Sequence, residues 1–417
     1  MTQPTRSTSG LAAILASILV LTSQSACSTR PESPEKGVVP APQTPTTEPA
    51  GFQYPTQAYH DRTDNIRDPE FVSLHVDEIS SFDVVILGLK KVFTPEGADF
   101  VAQLRSRNPD IIVLGVQQVL GRHDAWNRAD LRPEYPMAAE MYDLLSPHLL
   151  YQMSGEPAMM WETNQMIDPT DGSGDLDRDL LREYVDIIAR HAQDYPTAID
   201  GIMHDYMSPS PWLYPDGSVE GTTADVDLDG DGIGSTEDDD DRRLWTAWQK
   251  ELMREFQDRF GEGFINVANG ALGIRDEEAA SLMAGILYQH FPRTPWGYTD
   301  LEGLEMAFDH AQDRLTPRRG RVWSILDAET GRRAGDVEFR RVASLLTGLP
   351  YVWRLGQWRE FFGREDLDMD LGAPIGEATR ERLENGGVRY ERVFENGIAA
   401  AEFDEAGIQQ GLTVQSR

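Results

Sequence analysis

Residues 83–116 read DVVILGLKKVFTPEGADFVAQLRSRNPDIIVLGV. Two short apolar runs, 83–89 and 111–116, flank a stretch of helical length at 96–106. A short, uniformly apolar run is what a strand buried on both faces looks like, and strand, helix, strand in succession is a βα unit whose strands pair in parallel. The same alternation continues along the chain. Further strands are expected at 199–204, 264–268, 285–289 and 322–326, with weaker ones at 56–59 and 351–354. Helices are expected at 137–145, 177–191, 243–260, 277–283, 301–314 and 337–346. In 181–192, Tyr184, Ile187, Ile188 and His191 recur at helical spacing. About eight such units over roughly 300 residues match the count of an α/β (β/α)8 TIM barrel. A doubly wound open sheet is the alternative, although no Gly-rich dinucleotide fingerprint or phosphate loop follows any strand.

Around this core the chain has 417 residues, 40% apolar and 26% charged, enough to bury a large interior. Seventy acids against 38 Lys and Arg give a formal net charge of -32, a field that repels polyanions and argues against nucleic-acid or anionic-membrane partners. The single cysteine, Cys27, excludes an intrachain disulfide framework and a multi-cysteine metal site.

Residues 1–26 read as an export signal, with Arg6, an apolar stretch at 11–21, and small residues Ser25 and Ala26 before Cys27. Residues 27–50 form a Pro, Ser and Thr rich tether of a composition that stays extended. Signal, lone cysteine and tether resemble a bacterial lipoprotein, in which Cys27 is lipidated and anchors the protein; Gln24 stands where such signals usually carry Leu. The alternative is ordinary secretion after cleavage near Ala26. Both place the protein outside the cytoplasm, and membrane contact is expected only through the anchor. The barrel is expected over 51–372, with an acidic insertion at 215–241 and a C-terminal extension at 373–417 that carries a strand pair at 388–394 and 397–403.

Within the insertion, Asp227, Asp229 and Asp231 occupy alternate positions, Gly230 and Gly232 follow the second and third of them, and Asp238 ends a twelve-residue loop begun by Asp227. Carboxylates at positions one, three, five and twelve, with Gly at six and the Ile233 carbonyl at seven, are the arrangement of a structural Ca²⁺ loop. Gly234 and Asp238 depart from the usual pattern, and nine acids between Asp225 and Asp241 also suit a merely solvated acidic face.

In a barrel of this kind the chemistry sits at the C-terminal ends of the strands. Asp205, which ends the apolar run Ile199-Asp200-Gly201-Ile202-Met203-His204-Asp205-Tyr206, is the leading candidate for a nucleophile or oxocarbenium stabiliser. Asp327, Glu329 and Glu162 are further carboxyl candidates, and Gln289 and His290 end another strand. Substrate contacts are expected from His204, Tyr206, His290, Trp161, Trp212 and Trp296, since flat amphipathic rings stack on sugars; Tyr298, Trp353 and Trp358 fall near other strand ends.

These residues resemble the glycoside hydrolase-like TIM-barrel proteins of bacteria, a group mostly without characterised members. The resemblance runs from about Asp83 to Phe403. It rests on Arg105-x-x-Asn108-Pro109 before the strand at 111–114, on Trp161 with Asp168-Pro169-Thr170, on Asp200-Gly201-Ile202-Met203-His204-Asp205, and on Asp370-Leu371-Gly372-Ala373-Pro374-Ile375-Gly376 followed by Arg392-Val393-Phe394-Glu395-Asn396-Gly397. It implies a carbohydrate substrate and a catalytic carboxylate at Asp205. A second acid is expected where this chain has Gln289, which cannot donate a proton as a general acid. Three readings stay open: a hydrolase completed by Asp327, Glu329 or Glu162; a non-catalytic glycan-binding surface lipoprotein; and a metal-dependent hydrolase using His204, Asp205 and His290.

Overall fold

The computed structural model describes residues 57–61, 65–161, 163–213, 222–261, 263–270, 272–289, 291, 299–309, 325–326, 334–349, 351–355 and 371–416. Eight strands form the core: β1 Gln57–Asp61, β2 Val84–Gly88, β3 Ile112–Gln118, β4 Gly201–Asp205, β5 Ile265–Asn269, β6 Gly285–Tyr288, β7 Ile325–Leu326 and β8 Tyr351–Leu355. They close into a barrel in chain order, each paired in parallel with the next and β8 with β1. Parallel neighbours need crossovers, and helices supply them. Among these are Pro69–Ile79, Pro95–Arg107, Pro136–Leu145, Arg178–Asp194, Asp239–Phe260, Glu277–Leu282, Asp300–Asp309 and Ala334–Thr347. The expected helices are therefore present within a few residues wherever they are described. Pro69–Ile79, which was not anticipated, starts from Asp68, whose carboxylate accepts the Glu70 N–H, with Pro69 in the first turn. No described helix is long and apolar enough to cross a membrane.

Because side chains alternate across a strand, every second residue faces the barrel axis. Ala58, Val84, Ile86, Ile112, Leu114, Met203, Ile265, Val267 and Leu287 form a buried cluster of their own inside the barrel. The residues between them, such as Val85, Leu87, Val113, Ile202, Ala268, Ile286 and Tyr288, join a larger core shared with the helices. Trp245, Trp248, Leu252, Phe256 and Phe260 line one face of Asp239–Phe260 at helical spacing and are buried in that layer.

The N-terminal end of the barrel is fastened by polar contacts. Arg105 Nη2 pairs with Asp200 Oδ2 at 2.8 Å, and the same oxygen accepts the Val113 N–H at 2.8 Å. Arg105 also donates to the carbonyls of Thr197 and Ile111, and Asn108 Nδ2 donates to those of Ser80 and Phe82. Residues that carry the family resemblance thus tie the starts of β3 and β4 to the preceding turns.

The C-terminal extension is larger than expected. Four antiparallel strands, Thr379–Arg382, Val388–Phe394, Gly397–Phe403 and Gln409–Ser416, replace the anticipated pair. Val388, Tyr390, Ala401 and Phe403 belong to the main core, with the Phe403 ring edge-on to Phe339 and Tyr390 stacked on Phe308. Arg392 donates to the Leu345 and Leu346 carbonyls at the end of Ala334–Thr347, where a cation complements the helix dipole.

Asp200→Ala removes the carboxylate shared by the Arg105 guanidinium and the Val113 N–H. We expect a loss of about 1–3 kcal/mol in denaturant unfolding at unchanged ligand affinity.

Candidate active site

β4, β5 and β6 end side by side, and their last inward-facing positions are polar. Asp205 follows Met203 by two residues, Asn269 follows Val267 and Gln289 follows Leu287, each on the barrel-facing side. Asn269 links the three: its Nδ2 donates to Asp205 Oδ1 at 2.7 Å and to Gln289 Oε1 at 2.8 Å. An ionised carboxylate only accepts, which orients Asn269 with its NH2 toward Asp205 and leaves Gln289 presenting its own NH2. The Tyr206 N–H donates to Asp205 Oδ1 as well, at 3.1 Å. Asp205 Oδ2 carries no hydrogen bond among the described residues. A half-buried carboxylate oxygen beside an amide donor is suited to a hydroxyl-rich ligand.

The backbone around Asp205 is constrained. Tyr206 has φ 70° and Leu120, just past β3, has φ 53°; they are the only described residues other than glycine in the left-handed region. Such conformations cost about 1–3 kcal/mol and persist where surrounding contacts enforce them. Here the Val119 N–H donates to the Asp205 carbonyl, and the Met207 N–H to the Asn269 carbonyl. Gly270 is obligatory at the end of β5: its φ is 137°, and a Cβ would lie 2.0 Å from the Met207 carbonyl oxygen.

Aromatic residues stand beside this carboxylate, and one of them, Tyr206, has a role that differs from the one expected. Tyr206 is only 7% exposed. Its hydroxyl accepts the Trp212 N–H at 2.6 Å and donates to the Trp212 carbonyl, so it braces the loop instead of reaching a substrate. Trp161 meets Tyr206 edge-on, with ring centroids 5.8 Å apart, and both Trp161 and Trp212 remain partly exposed. Trp161 is carried on the small antiparallel hairpin Met159–Trp161 and Asn164–Met166, which is held to β3 through Asn164 Nδ2 donating to Gln118 Oε1.

His204 requires a correction. It takes the outward position between Met203 and Asp205, is 0% exposed, packs against Phe256 and shares a hydrogen bond of 2.9 Å with Asn266 Oδ1. It therefore belongs to the layer between barrel and helix and lines no part of the mouth. Burial pushes its pKa down to about 4, only partly opposed by Asn266. Asp168, part of the family-like Asp-Pro-Thr run, accepts from Thr170 N and Oγ1 and serves to turn that loop; burial raises its pKa. Glu162, Asp327, Glu329, His290, Trp296, Tyr298, Trp358, Cys27 and residues 1–50 lie outside the described residues.

The acidic loop folds around its own carboxylates. Asp227 accepts the N–H groups of Gly230 and Gly232, Asp229 accepts that of Asp231, and Asp231 that of Ile233. Asp238 caps the helix Asp239–Phe260 by accepting the Asp240 N–H. The acids that approach closely enough to share a cation fall into two groups, Asp227 with Asp229 and Asp241, and Asp229 with Asp231 and Asp238. Asp227 and Asp238, expected in one ligand set, are thus in different groups.

Two residues central to this geometry were missed in the sequence. Asn269 stands one position beyond the expected strand at 264–268, directly before a glycine, which is where strand-end chemistry belongs. Asp241 lies four and seven residues before Trp245 and Trp248 on their buried stripe, a pattern that marks it as interior.

No family model matches the chain, and no curated protein is similar to it. Among solved structures it is similar to an isomalto-dextranase of Arthrobacter globiformis T6 complexed with panose, at 12% identity and TM-score 0.41, over 85% of this chain and 65% of that one. It is also similar to an alpha-amylase from Lactobacillus plantarum, at 10% identity and TM-score 0.41, over 84% and 88%. A third is the ligand-free cyclic alpha-maltosyl-(1→6)-maltose hydrolase of Arthrobacter globiformis, at 12% identity and TM-score 0.40, over 87% and 96%. The chain spans about two thirds of the length of the first. At this level of similarity no residue of those enzymes is assigned a counterpart here.

The neutral His204 has a testable consequence. The unfolded chain takes up a proton at an ordinary pKa of 6.5, while the folded one resists until about pH 4. Stability is thus full above pH 6.5 and falls as the pH drops toward 4, by about 3 kcal/mol from this group. Urea melts at pH 7 and pH 4.5 should show a smaller pH-dependent loss in His204→Gln than in the parent.

Proposed function

We propose that the chain is a glycoside hydrolase-like enzyme that acts on an extracytoplasmic oligosaccharide or polysaccharide at the mouth of a (β/α)8 barrel. The observation that carries this reading is the Asp205 carboxylate, which ends β4 on the barrel-facing side with Oδ1 held by Asn269 and the Tyr206 N–H. Oδ2 is then the atom that meets the anomeric carbon, as nucleophile or as stabiliser of oxocarbenium charge. The fixed amides of Asn269 and Gln289 suit sugar hydroxyls, and the partly exposed Trp161 and Trp212 offer stacking faces.

Hydrolysis needs a second carboxyl to protonate the leaving oxygen. Asp327, which directly follows β7 in the chain, is the residue we assign to that role, with Glu162, next to Trp161 in sequence, as the alternative. The N-terminal sequence supports export, with Cys27 as the site of a lipid anchor. Gln289, an amide at a strand end where an acid would serve hydrolysis, favours a second reading: a glycan-binding surface lipoprotein on a barrel that no longer cleaves.

The test is release of reducing ends by the full chain from polysaccharides of different linkage, beside Asp205→Asn. The hydrolase reading predicts cleavage of at least one polysaccharide and a loss of about 100-fold or more in the variant at unchanged thermal stability. Binding of a glycan by both proteins without cleavage by either would replace it with the binding reading.

A further inference from the structure

The acidic loop contains an atom that its protein surroundings leave unserved. Asp241 is 0% exposed, and its Oδ1 accepts the N–H groups of Leu228 at 2.6 Å and Asp229 at 3.2 Å, fastening the loop to the first turn of the helix Asp239–Phe260. Its Oδ2 is buried and has no hydrogen-bond partner among the described residues. A buried carboxylate oxygen without a donor is costly, and here the cost is compounded by charge. Oxygens of Asp227, Asp229 and Asp241 all lie within 4.8 Å of one another. The nearest arginines in sequence do not relieve them: Arg242 pairs with Asp239 and Arg243 with Asp240, on the exposed side of the turn.

A cation resolves both problems at once. Two oxygens bound to one Ca²⁺ at about 2.4 Å can lie up to about 4.8 Å apart, so these three carboxylates are already within the span of a single coordination sphere. The loop is also braced for the purpose. Ser235 Oγ donates to the Ala224 carbonyl, and the Ser235 N–H to that of Val226, while Val226 and Leu228 are buried in the core. Gly230 and Gly232, with φ of 77° and 89°, let the chain turn back over the acids.

We propose that Asp227, Asp229 and Asp241 bind one Ca²⁺, with Asp241 as the buried anchor that joins the inserted loop to the helix packed beside β4. Backbone carbonyls and water complete its coordination. Asp231 belongs only to the more exposed group and is not a ligand of this ion. The site is structural and stands independently of what the barrel mouth does.

The full chain, stripped with EDTA, is titrated with CaCl2 by calorimetry and by thermal melting. The proposal predicts about one Ca²⁺ per chain and a rise in Tm on binding. Asp241→Asn should weaken the affinity at least about 10-fold and remove the Tm response, while Asp231→Asn should change the affinity less than about 3-fold. In EDTA, Asp241→Asn should melt no lower than the parent, since it removes an unpaired buried charge. Affinity retained in Asp241→Asn, or lost in Asp231→Asn alone, would overturn the assignment. Should Asp241→Asn not fold, Tb³⁺ on the parent chain decides. Trp245 stands one helical turn from Asp241, so excitation at the tryptophan band should give Tb³⁺ emission that CaCl2 quenches and Trp245→Phe reduces severalfold; no sensitised emission would contradict the site.

Discussion

Closing eight parallel strands into a barrel forces every second side chain toward one axis, and the rest of this molecule follows from that alternation. Between the ends the inward positions must fill a confined space, and the chain supplies Val, Ile, Leu, Met and Ala there. At the C-terminal ends the same parity continues into polar residues, so Asp205, Asn269 and Gln289 converge without any loop having to carry them. One register step would send Asp205 into the helix layer and His204 into the mouth. The parallel pairing of β4 with both β3 and β5 fixes the register against that step.

The two ends of β4 show how the barrel divides its work. Asp200 at the start gives one oxygen to both Arg105 and the Val113 N–H, a structural knot at the N-terminal end of the barrel, away from the mouth. Asp205 at the other end has one oxygen held and one available. Much of what resembles a hydrolase family in this chain belongs to the first kind. Arg105 and Asn108 hold turns, Asp168 and Thr170 shape a loop, and Arg392 binds the end of a helix. Among the described carboxylates of the quoted motifs, Asp205 is the one that ends a barrel strand on the inward side.

The strand and helix alternation was legible because buried parallel strands are short, apolar and separated by amphipathic helices. What hydropathy does not report is which face of such a strand looks inward, because both faces are buried. Ile202 and Met203 are equally apolar, and His204 therefore read as a neighbour of Asp205 in function when it is a neighbour in sequence only. The added strands Thr379–Arg382 and Gln409–Ser416 escaped notice for the opposite reason. Neither contains a fully buried residue and most of their side chains are polar, so the pattern of a buried strand is absent from them. In the acidic loop, composition drew attention to the exposed aspartates, whereas Asp241 is distinguished by sharing a helical face with two buried tryptophans.

The central claim is that the Asp205 end of the barrel meets a carbohydrate. The most direct measurement is a crystal structure of the full chain soaked with the oligosaccharide it binds best. The account predicts a sugar ring within hydrogen-bond reach of Asp205 Oδ2 and the Gln289 NH2, with one face toward Trp161 or Trp212. An oligosaccharide bound elsewhere on the molecule, with Asp205 still joined only to Asn269 and the Tyr206 N–H, would contradict it.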